Sequence, residues 1–305
     1  MSARVAVLVS TYNGEAFLRQ QMQSLLDQTG VEIEVFARDD GSSDETRSRL
    51  AEFAGRWPRL ADVPAGPNLG PAQSFLCLLT AAPGDFDAYA FCDQDDVWAP
   101  DKLARAVRLL AVGGDRPALY CSQVDLVDAD LKPLGPGPAR RDVRFEHLLF
   151  ENIAFGATVV MNRAAVALIR ARPPKSGAAM HDWWCALVVS ALGEIVYDPE
   201  ARLKYRQHGA NTVGQAKGRV GELLRLWRIF WRDPARFWPV HAQATELQRL
   251  FGDQLPAERR AFLDRFVASK GSPSHRLRYA LAGPIRRERL SGALVARLMI
   301  GLGLY

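Results

Sequence analysis

Three aspartates directly follow an apolar run in the segment YAFCDQDDVWAP, which spans residues 89–100. Of these, Asp93 and Asp95 are two positions apart, and side chains at such positions of an extended segment point to the same side. Like charges on one side repel each other unless a cation lies between them, and hard divalent ions prefer carboxylate oxygens. Asp93 and Asp95 are therefore candidate ligands of a divalent metal. The alternative is that Asp95 or Asp96 only caps the helix predicted to start near Pro100.

Other polar residues follow the remaining predicted strands of the first half. The strand VAVLVS is followed by Thr11, Tyr12 and Asn13, and VEIEVFARDD ends on Asp40 before a glycine. Asp40 has two possible roles: an Asx-turn residue, or a carboxylate that accepts the imide N–H of a pyrimidine base. Asn68 lies in AGPNLG, a segment whose composition is typical of a turn. Several acidic and amide residues after successive strands indicate a binding site more than isolated helix caps.

Two motifs of the second half carry candidate catalytic or ligand side chains. Asp182, in HDWW, either caps the apolar helix that follows it or acts as a general base. His208, in YRQHGANT, is typical of a surface histidine. It becomes a candidate metal ligand only through the acids at positions 93 and 95, because a neutral imidazole also binds metals.

The order of predicted elements places these residues. Strand and helix patterns alternate from VAVLVS to PALYCSQVDLVD, which predicts an α/β fold with a mostly parallel, doubly wound sheet. Ligands of such sheets bind beyond the carboxyl ends of the strands, where all the polar motifs would meet. Further expectations are a helix over 71–82, a C-cap at Gly30, and a capping box formed by Ser42 and Glu45. The Pro- and Gly-rich segments 131–142 and 171–180 are predicted to be loops.

Composition limits the class of protein. The chain has 305 residues, 48% of them hydrophobic, and no uncharged apolar run reaches the roughly 18 residues of a membrane span. The N-terminus has no pattern of a cleavable signal. The four cysteines are widely spaced in apolar surroundings, which predicts reduced core residues of a cytoplasmic protein. The glycine-rich loops of common nucleotide-binding motifs are absent from the sequence.

Charge is distributed unevenly along the chain. Residues 201–305 hold 20 Lys and Arg against 7 Asp and Glu, whereas the first 200 residues hold 19 against 27. We therefore expect a catalytic domain over 1–215 and a basic, mostly helical C-terminal extension over 216–305. In the extension, the segment 219–231 is amphipathic and carries leucines and tryptophans beside arginines. It could close the core, form a homodimer interface, or contact an anionic membrane from the cytoplasmic side.

Taken together, the motifs resemble the family-2 glycosyltransferases over roughly residues 4–215. The matching segments are VLVSTYNGEAFL, RDDGSSDET, NLGPAQSF, FCDQDDVW, HDWW and YRQHGAN. FCDQDDVW and HDWW are most similar to the bacterial rhamnosyltransferase branch, which uses dTDP-L-rhamnose. The resemblance implies the nucleotide-diphospho-sugar transferase fold, called GT-A. The chain lacks the Gln-x-x-Arg-Trp motif and the membrane helices of the processive synthases, so transfer of one sugar per encounter is expected.

The resemblance also implies roles for individual residues. The acid that binds the base falls on Asp40, and the general base falls on Asp182. The acids that hold Mg²⁺ or Mn²⁺ on the diphosphate fall on Asp93 and Asp95, with His208 completing the metal shell. The whole nucleotide-sugar site is expected to comprise Thr11, Tyr12, Asn13, Asp40, Asn68, Asp93 and Gln94.

The expected function is that of an inverting, metal-dependent glycosyltransferase. It would move a sugar to a saccharide or lipid-linked saccharide acceptor in cell-surface polysaccharide synthesis. The favoured candidate for this sugar is L-rhamnose. The alternatives are a transferase of the same fold with a UDP-sugar donor, a sugar-1-phosphate nucleotidyltransferase, and a non-enzymatic nucleotide-binding module. Nucleic acid is not an expected partner, because the sequence has no helix-turn-helix, zinc finger or base-stacking module.

Overall fold

The computed structural model describes residues 2–57, 60–63, 66–139, 142–175, 178–208 and 239–305. The predicted domain boundary at 215/216 and the amphipathic segment 219–231 lie outside the described residues. None of the helices within these ranges is long and apolar enough to cross a membrane.

Eleven strands form two sheets among the described residues. The strands are β1 Ala3–Thr11, β2 Val31–Asp39, β3 Leu60–Val63, β4 Ala88–Cys92, β5 Val97–Trp98, β6 Ala118–Ser122, β7 Asp125–Val127, β8 Pro133–Pro136, β9 Val160–Asn162, β10 Glu194–Asp198 and β11 Leu203–Arg206. The larger sheet has seven strands in the order β10-β6-β9-β4-β1-β2-β3. Only β9 runs antiparallel to its neighbours β4 and β6, which confirms the predicted mostly parallel sheet.

The helices lie on both faces of this sheet. They are α1 Leu18–Leu26, α2 Thr46–Arg56, α3 Pro71–Ala81, α4 Lys102–Leu110, α5 Phe145–Leu148, α6 Arg163–Ala171, α7 His181–Leu192, α8 Val240–Phe251, α9 Ala257–Ser269, α10 Pro273–Ala282 and α11 Leu290–Leu302. The continuous apolar run of β1 is explained by this packing, since Val5, Val7 and Val9 face one core while Ala6 and Leu8 face the other.

The C-terminal helices share a core with the sheet domain. Buried side chains of α8 and α9, such as Leu247 and Phe266, belong to the same cluster as Trp184 of α7. Phe262 of α9 also packs edge-on against Phe145, at a centroid distance of 5.8 Å. The predicted helical C-terminal part is therefore confirmed, and it covers the face of the sheet that carries α7.

A second sheet of four strands, in the order β5-β11-β7-β8, lies beside the carboxyl ends of the main sheet. Its strand β7 lies within the predicted strand segment PALYCSQVDLVD, whereas β5, β8 and β11 had no counterpart in the sequence prediction because they are only two to four residues long. β8 falls within 131–142, so the prediction of a loop there was wrong in part. Through β11, this sheet brings the segment before His208 next to the acidic turn after β4.

Several local predictions were also wrong. Helix α1 ends with Asp27 as C-cap, so Gly30 follows three residues later in a turn with φ 75°. Helix α4 begins at Lys102 after Asp101, and neither Asp95 nor Asp96 caps it. Cys77 is exposed, unlike the other three cysteines.

The predicted capping box does not form, because both of its side chains have other partners. Ser42 Oγ donates to Asp39 Oδ2 and accepts from the backbone N–H of Asn13. Helix α2 starts at Thr46, whose N–H donates to Asp44 Oδ1 at 3.0 Å. These contacts tie the start of α2 to the loop after β1, which lies at the edge of the candidate site.

Candidate active site

A cavity of about 640 Å³ opens at the carboxyl ends of β1 and β4. The sequence-predicted residues among its lining are Thr11, Tyr12, Asp40, Asn68, Asp93, Gln94, Asp95 and Asp182. The structure thus brings together residues that lie up to 171 positions apart (Thr11 to Asp182). Asn13 and His208 lie outside the lining but contact neighbouring loops. Four of the described lining residues are aspartates and none is lysine or arginine, so the cavity favours cations.

The acidic turn after β4 is held by the end of β11. Arg206 is buried, and its Nε donates to the carbonyl of Asp95 at 2.6 Å. The backbone N–H of Arg206 donates to Asp96 Oδ1 at 2.9 Å, and its guanidinium also donates to the side chain of Gln20. Asp96 is therefore a buried structural residue behind the site, whereas Asp93 and Asp95 face the cavity.

His208 follows directly and reaches the same turn. Its Nε2 lies 2.8 Å from Asp95 Oδ2, and its ring packs against Phe17 at a centroid distance of 4.7 Å. The predicted pair of Asp95 and His208 is thus together in space.

The carboxylates of the turn repel each other. Burial and the neighbouring charges of Asp95 and Asp182 raise the pKa of Asp93 to about 8. Burial likewise raises the pKa of Asp96 well above its usual range. A bound cation would relieve this repulsion and return Asp93 to its ionised form.

The donor set fits a divalent metal that is shared with a substrate. Within the described residues, no three acidic, histidine or cysteine side chains are close enough to hold a metal on their own. Mg²⁺ and related ions are commonly bound by one or two carboxylates together with substrate phosphates and water. Asp93, Asp95 and His208 supply oxygen and imidazole donors of that kind, so they fit a metal that arrives with a diphosphate.

Asp40 is held rigidly at the other end of the cavity. Its carboxylate pairs with the buried guanidinium of Arg38 and accepts the backbone N–H groups of Leu69 and Gly70 at 2.9 and 2.8 Å. These contacts use three of about four acceptor positions and leave one for a ligand. The turn at Gly41 is closed by Asp39, whose Oδ1 accepts from the N–H of Ser42. An Asx-type role therefore belongs to Asp39, not to Asp40.

The loop after β1 is joined to the acidic turn by Gln94. Its Oε1 accepts from the N–H of Tyr12 at 2.8 Å, and its Nε2 donates to the carbonyl of Tyr12 at 3.0 Å. Asn13 adopts a positive φ of 47° and accepts from the N–H of Ser43. Gln94 and Asn13 thus shape the cavity wall, while the half-exposed ring of Tyr12 remains accessible.

Asp182 lies in the first turn of α7 and faces the acidic turn across the cavity. Burial raises the pKa of its carboxyl to about 6, and hydrogen bonds from Trp183, Asn152 and Gly156 oppose this rise. The backbone N–H of Trp183 donates to Asp182 Oδ1 at 2.6 Å. A buried carboxylate with a pKa near neutrality has the property required of a general base.

The neighbouring His181 is a site residue that sequence reasoning did not select. Its ring stacks on Phe75 at 4.0 Å and meets the edge of Phe91 at 4.7 Å, and it lines the cavity. Burial lowers its pKa to about 3, so the ring is neutral. Both ring nitrogens are buried, and neither has a hydrogen-bond partner among the described residues.

Other lining residues were also missed by the sequence prediction. They are mostly apolar or amide side chains from the segment before β9 and from the second sheet: Leu126, Asn152, Phe155, Tyr205 and Gln207. The rings of Phe155 and Tyr205 lie 5.4 Å apart. Tyr205 and Gln207 belong to the matching segment YRQHGAN, whose pattern points to His208 alone, whereas Leu126, Asn152 and Phe155 belong to no motif with a distinctive residue pattern.

Replacement of Gly156 by alanine is expected to impair the site without unfolding the protein. A Cβ at this position would lie 3.0 Å from His181 Nε2 and 3.6 Å from Asp182 Oδ2. Small displacements of a reacting group can reduce rates by about 10²-fold, and we expect a loss of about tenfold or more in transfer. Gly55→Ala is the matched control, because its Cβ would meet nothing within 4 Å. Equal turnover by both variants, measured as nucleotide release, would contradict a tight fit at Gly156.

Comparison with known proteins agrees with this geometry. The family model described as glycosyl transferase family 2 matches residues 6–160. The dTDP-rhamnosyl transferase RfbG of Shigella flexneri is 26% identical over 215 residues, which cover 68% of this chain and 73% of RfbG. An uncharacterized glycosyltransferase of Nostoc is 27% identical over 238 residues, covering 72% of this chain and 69% of the relative.

Two solved structures show the same fold. S. aureus TarS (residues 1–349) in complex with UDP-GlcNAc superposes with a TM-score of 0.60 at 16% identity, covering 99% of this chain and 81% of that one. The mannosyltransferase PcManGT of Pyrobaculum calidifontis, in complex with GDP-Man and Mn²⁺, gives a TM-score of 0.53 at 19% identity, covering 100% of this chain and 81% of that one. Because the family model spans half of the chain and includes the strands that carry the acidic turn, this protein is a member of glycosyl transferase family 2 with the GT-A fold.

Proposed function

We propose that this glycosyltransferase moves a single sugar from a nucleoside-diphosphate-sugar to a hydroxyl of a saccharide or lipid-linked saccharide, with inversion at the anomeric carbon. The observation that carries the proposal is the pairing of Asp95 with His208 on one side of a cavity whose other side holds Asp182. A cation site and a candidate base thus face each other across a space large enough for a sugar.

The acidity of the cavity supports a metal-dependent donor. A nucleoside diphosphate is itself anionic, and the described lining offers it four aspartates, no lysine and no arginine. Binding therefore needs a cation, which Asp93, Asp95 and His208 would hold as Mg²⁺ or Mn²⁺. When bound, such an ion neutralises the diphosphate and stabilises the charge that develops on the leaving oxygen.

The protein's own residues would then act as follows. Asp40 accepts an N–H of the base, and Thr11, Tyr12, Asn68 and Gln94 line the nucleotide. Asp182 takes the proton of the acceptor hydroxyl as the acceptor oxygen attacks the anomeric carbon. The bond from that carbon to the diphosphate oxygen breaks on the opposite face, so the configuration inverts.

We propose dTDP-L-rhamnose as the donor. Support comes from the similarity to RfbG, which is described as a dTDP-rhamnosyl transferase. Solved structures of the same fold bind UDP-GlcNAc and GDP-Man, so a UDP-sugar is the alternative donor. Both donors contain a pyrimidine base with an imide N–H, and both are compatible with the remaining acceptor position of Asp40.

A donor panel tests this proposal. The full chain is incubated with dTDP-L-rhamnose, UDP-GlcNAc, UDP-glucose and GDP-mannose, each with Mg²⁺ or Mn²⁺, and released nucleoside diphosphate is measured. We expect release from dTDP-L-rhamnose to be fastest and to stop with EDTA. Faster release from a UDP-sugar would overturn the donor assignment, and absence of release and of nucleotide binding with every donor would overturn the proposed function.

The pH dependence follows from the raised pKa of Asp182. A general base works in its deprotonated form, so activity is present above the pKa and is lost as the pH falls below it. With a pKa of about 6, kcat/KM is expected to fall about tenfold per pH unit below pH 6. A profile that stays flat down to pH 4.5 would contradict the assignment, provided that donor binding is unchanged over the same range.

A further inference from the structure

The last two helices expose an unusual number of leucines. Half of the twelve exposed large apolar side chains among the described residues are leucines of α10 and α11. We call them the leucine face: Leu277, Leu281, Leu290, Leu294, Leu298 and Leu302. The four on α11 recur every four residues, so they form a stripe along one side of that helix. The opposite side of α11, with Ala296, Met299 and Ile300, is buried.

The two helices hold this surface as one unit. They pack against each other, and Arg297 Nη1 of α11 donates to the carbonyl of Ala280 at 2.6 Å. Leu290 is 86% exposed and Leu281 is 75% exposed. An apolar surface of this kind on a packed helix pair is a cost in water unless something covers it.

The charges around the leucine face indicate what covers it. Residues 270–305 contain seven lysines and arginines and a single acidic residue, Glu288. Arg278, Arg286 and Arg289 are exposed, and arginine keeps its charge at any physiological pH. Leucines beside arginines are the composition of helices that lie in the interface of an anionic bilayer.

Two other arrangements fit less well. Helix α11 has 13 residues and is about 20 Å long, which is short of the roughly 30 Å of a bilayer core. A twofold dimer through the leucine face would bring the same basic surface of two copies together, because such an interface is self-complementary. An anionic lipid surface satisfies both the apolar and the basic side chains.

The link between α10 and α11 connects this surface to the active-site wall. The backbone N–H of Glu288 donates to Glu151 Oε2 at 3.0 Å, and Arg287 Nε lies 3.5 Å from the same oxygen. The next residue, Asn152, lines the cavity. Through these contacts, a membrane bound at the leucine face would be connected to the segment that surrounds Asp182.

We propose that α10 and α11 dock the protein onto an anionic membrane through the leucine face, with the leucines in the acyl boundary and the arginines at the headgroups. The docking surface is inferred from the exposed leucines and arginines alone. The further idea that it presents a lipid-linked acceptor to the cavity rests on the proposed function. It is distinct from the amphipathic segment 219–231 of the sequence prediction.

Co-sedimentation of the full chain with vesicles tests the proposal. The vesicles contain phosphatidylcholine alone or phosphatidylcholine with phosphatidylglycerol, at low and high salt. We expect binding to the anionic vesicles that weakens with salt. Leu294→Gln/Leu298→Gln should lower the partition coefficient about tenfold or more, because the exposed leucines no longer enter the bilayer, while glutamine preserves the helix. Arg278→Gln/Arg289→Gln should lower it about tenfold at low salt only.

Matched controls separate this surface from general effects. Val112→Gln removes an apolar side chain that is 87% exposed elsewhere, and Arg108→Gln/Arg116→Gln removes the same charge from another surface. Both should bind vesicles like the unmodified chain. Equal binding by the leucine variant and the unmodified chain, or failure of the unmodified chain to pellet with anionic vesicles at low salt, would overturn the proposal. The proposal would also be overturned if the leucine variant bound vesicles normally but had a different mass in sedimentation velocity. That result would show that the leucine face contacts a second copy of the protein.

Donor binding keeps the two proposals apart. Titration of the leucine variant with nucleoside diphosphate and Mn²⁺ should match that of the unmodified chain, which also confirms that the variant is folded. Loss of vesicle binding with normal nucleotide affinity is the expected result. If the unmodified chain bound vesicles but neither protein bound nucleotide, the proposed function would be wrong and the docking surface would still be supported.

Discussion

Replacement of Asp182 by asparagine is expected to reduce sugar transfer by about 10²-fold or more while donor binding is retained. Asparagine keeps the size of the side chain but cannot take a proton from the acceptor hydroxyl. Donor affinity should survive, because the proposed diphosphate contacts come from the opposite side of the cavity. The measurement is single-turnover transfer, alongside a titration with nucleoside diphosphate and Mn²⁺.

The control for this variant is Glu258→Gln, which also removes a carboxylate from the first turn of a helix but lies exposed on α9. It should transfer sugar normally. The acid limb of the pH profile should also disappear in Asp182→Asn. Near-normal transfer by Asp182→Asn would assign the base to another residue, and a variant that does not fold would favour a purely structural role for Asp182 in the first turn of α7.

Asp95→Asn is expected to weaken metal-dependent nucleotide binding by about 10²-fold or more. Groups that merely support a metal ligand already change affinity by about 10–100-fold, so loss of a direct ligand should reach at least the upper end. The fold should survive, because removal of one charge reduces repulsion within the acidic turn and Arg206 binds the backbone carbonyl of residue 95. Calorimetric titration with nucleoside diphosphate and Mn²⁺ measures the change.

Asp115→Asn serves as the matched control, since Asp115 is exposed and remote from the cavity lining. It should bind nucleotide with unchanged affinity. If Asp95→Asn also bound nucleotide normally and with the same dependence on Mn²⁺, Asp95 would be removed from the metal site.

Much of the main sheet could be predicted from the sequence, for a physical reason. Parallel strands buried on both faces are continuous apolar runs, and β1 and β4 are of this kind. The polar residues that follow such runs must lie at the same edge of the sheet. Thr11, Asp40 and Asp93, which the sequence predicts to lie together at this edge, line one cavity.

Residues outside such patterns could not be found in the same way. Arg206 is the last residue of β11, a short strand of the second sheet, and its burial depends on partners at Gln20 and Asp95 that only the folded chain brings together. Asn152 lines the cavity by tertiary placement alone, and Tyr205 lines it although the motif that contains it points only to His208. The exposed leucines of α11 illustrate the same limit, since an apolar helix pattern does not tell which side faces solvent.

The local errors have a common cause as well. Ser42 and Glu45 have the spacing of a capping box, but Ser42 is bound by Asp39 and by the loop after β1. Tertiary hydrogen bonds thus override a local capping preference. For the same reason Asp39, and not Asp40, closes the turn at Gly41.

The most direct test of the account is a crystal structure of the protein with dTDP and Mn²⁺, in which anomalous scattering locates the metal. We predict one manganese peak in contact with Asp93, Asp95, His208 and the diphosphate, a thymine ring whose N–H points to Asp40, and an open space between the β-phosphate and Asp182 that can hold the sugar. A nucleotide bound elsewhere, or a metal that contacts neither Asp93 nor Asp95, would contradict the account.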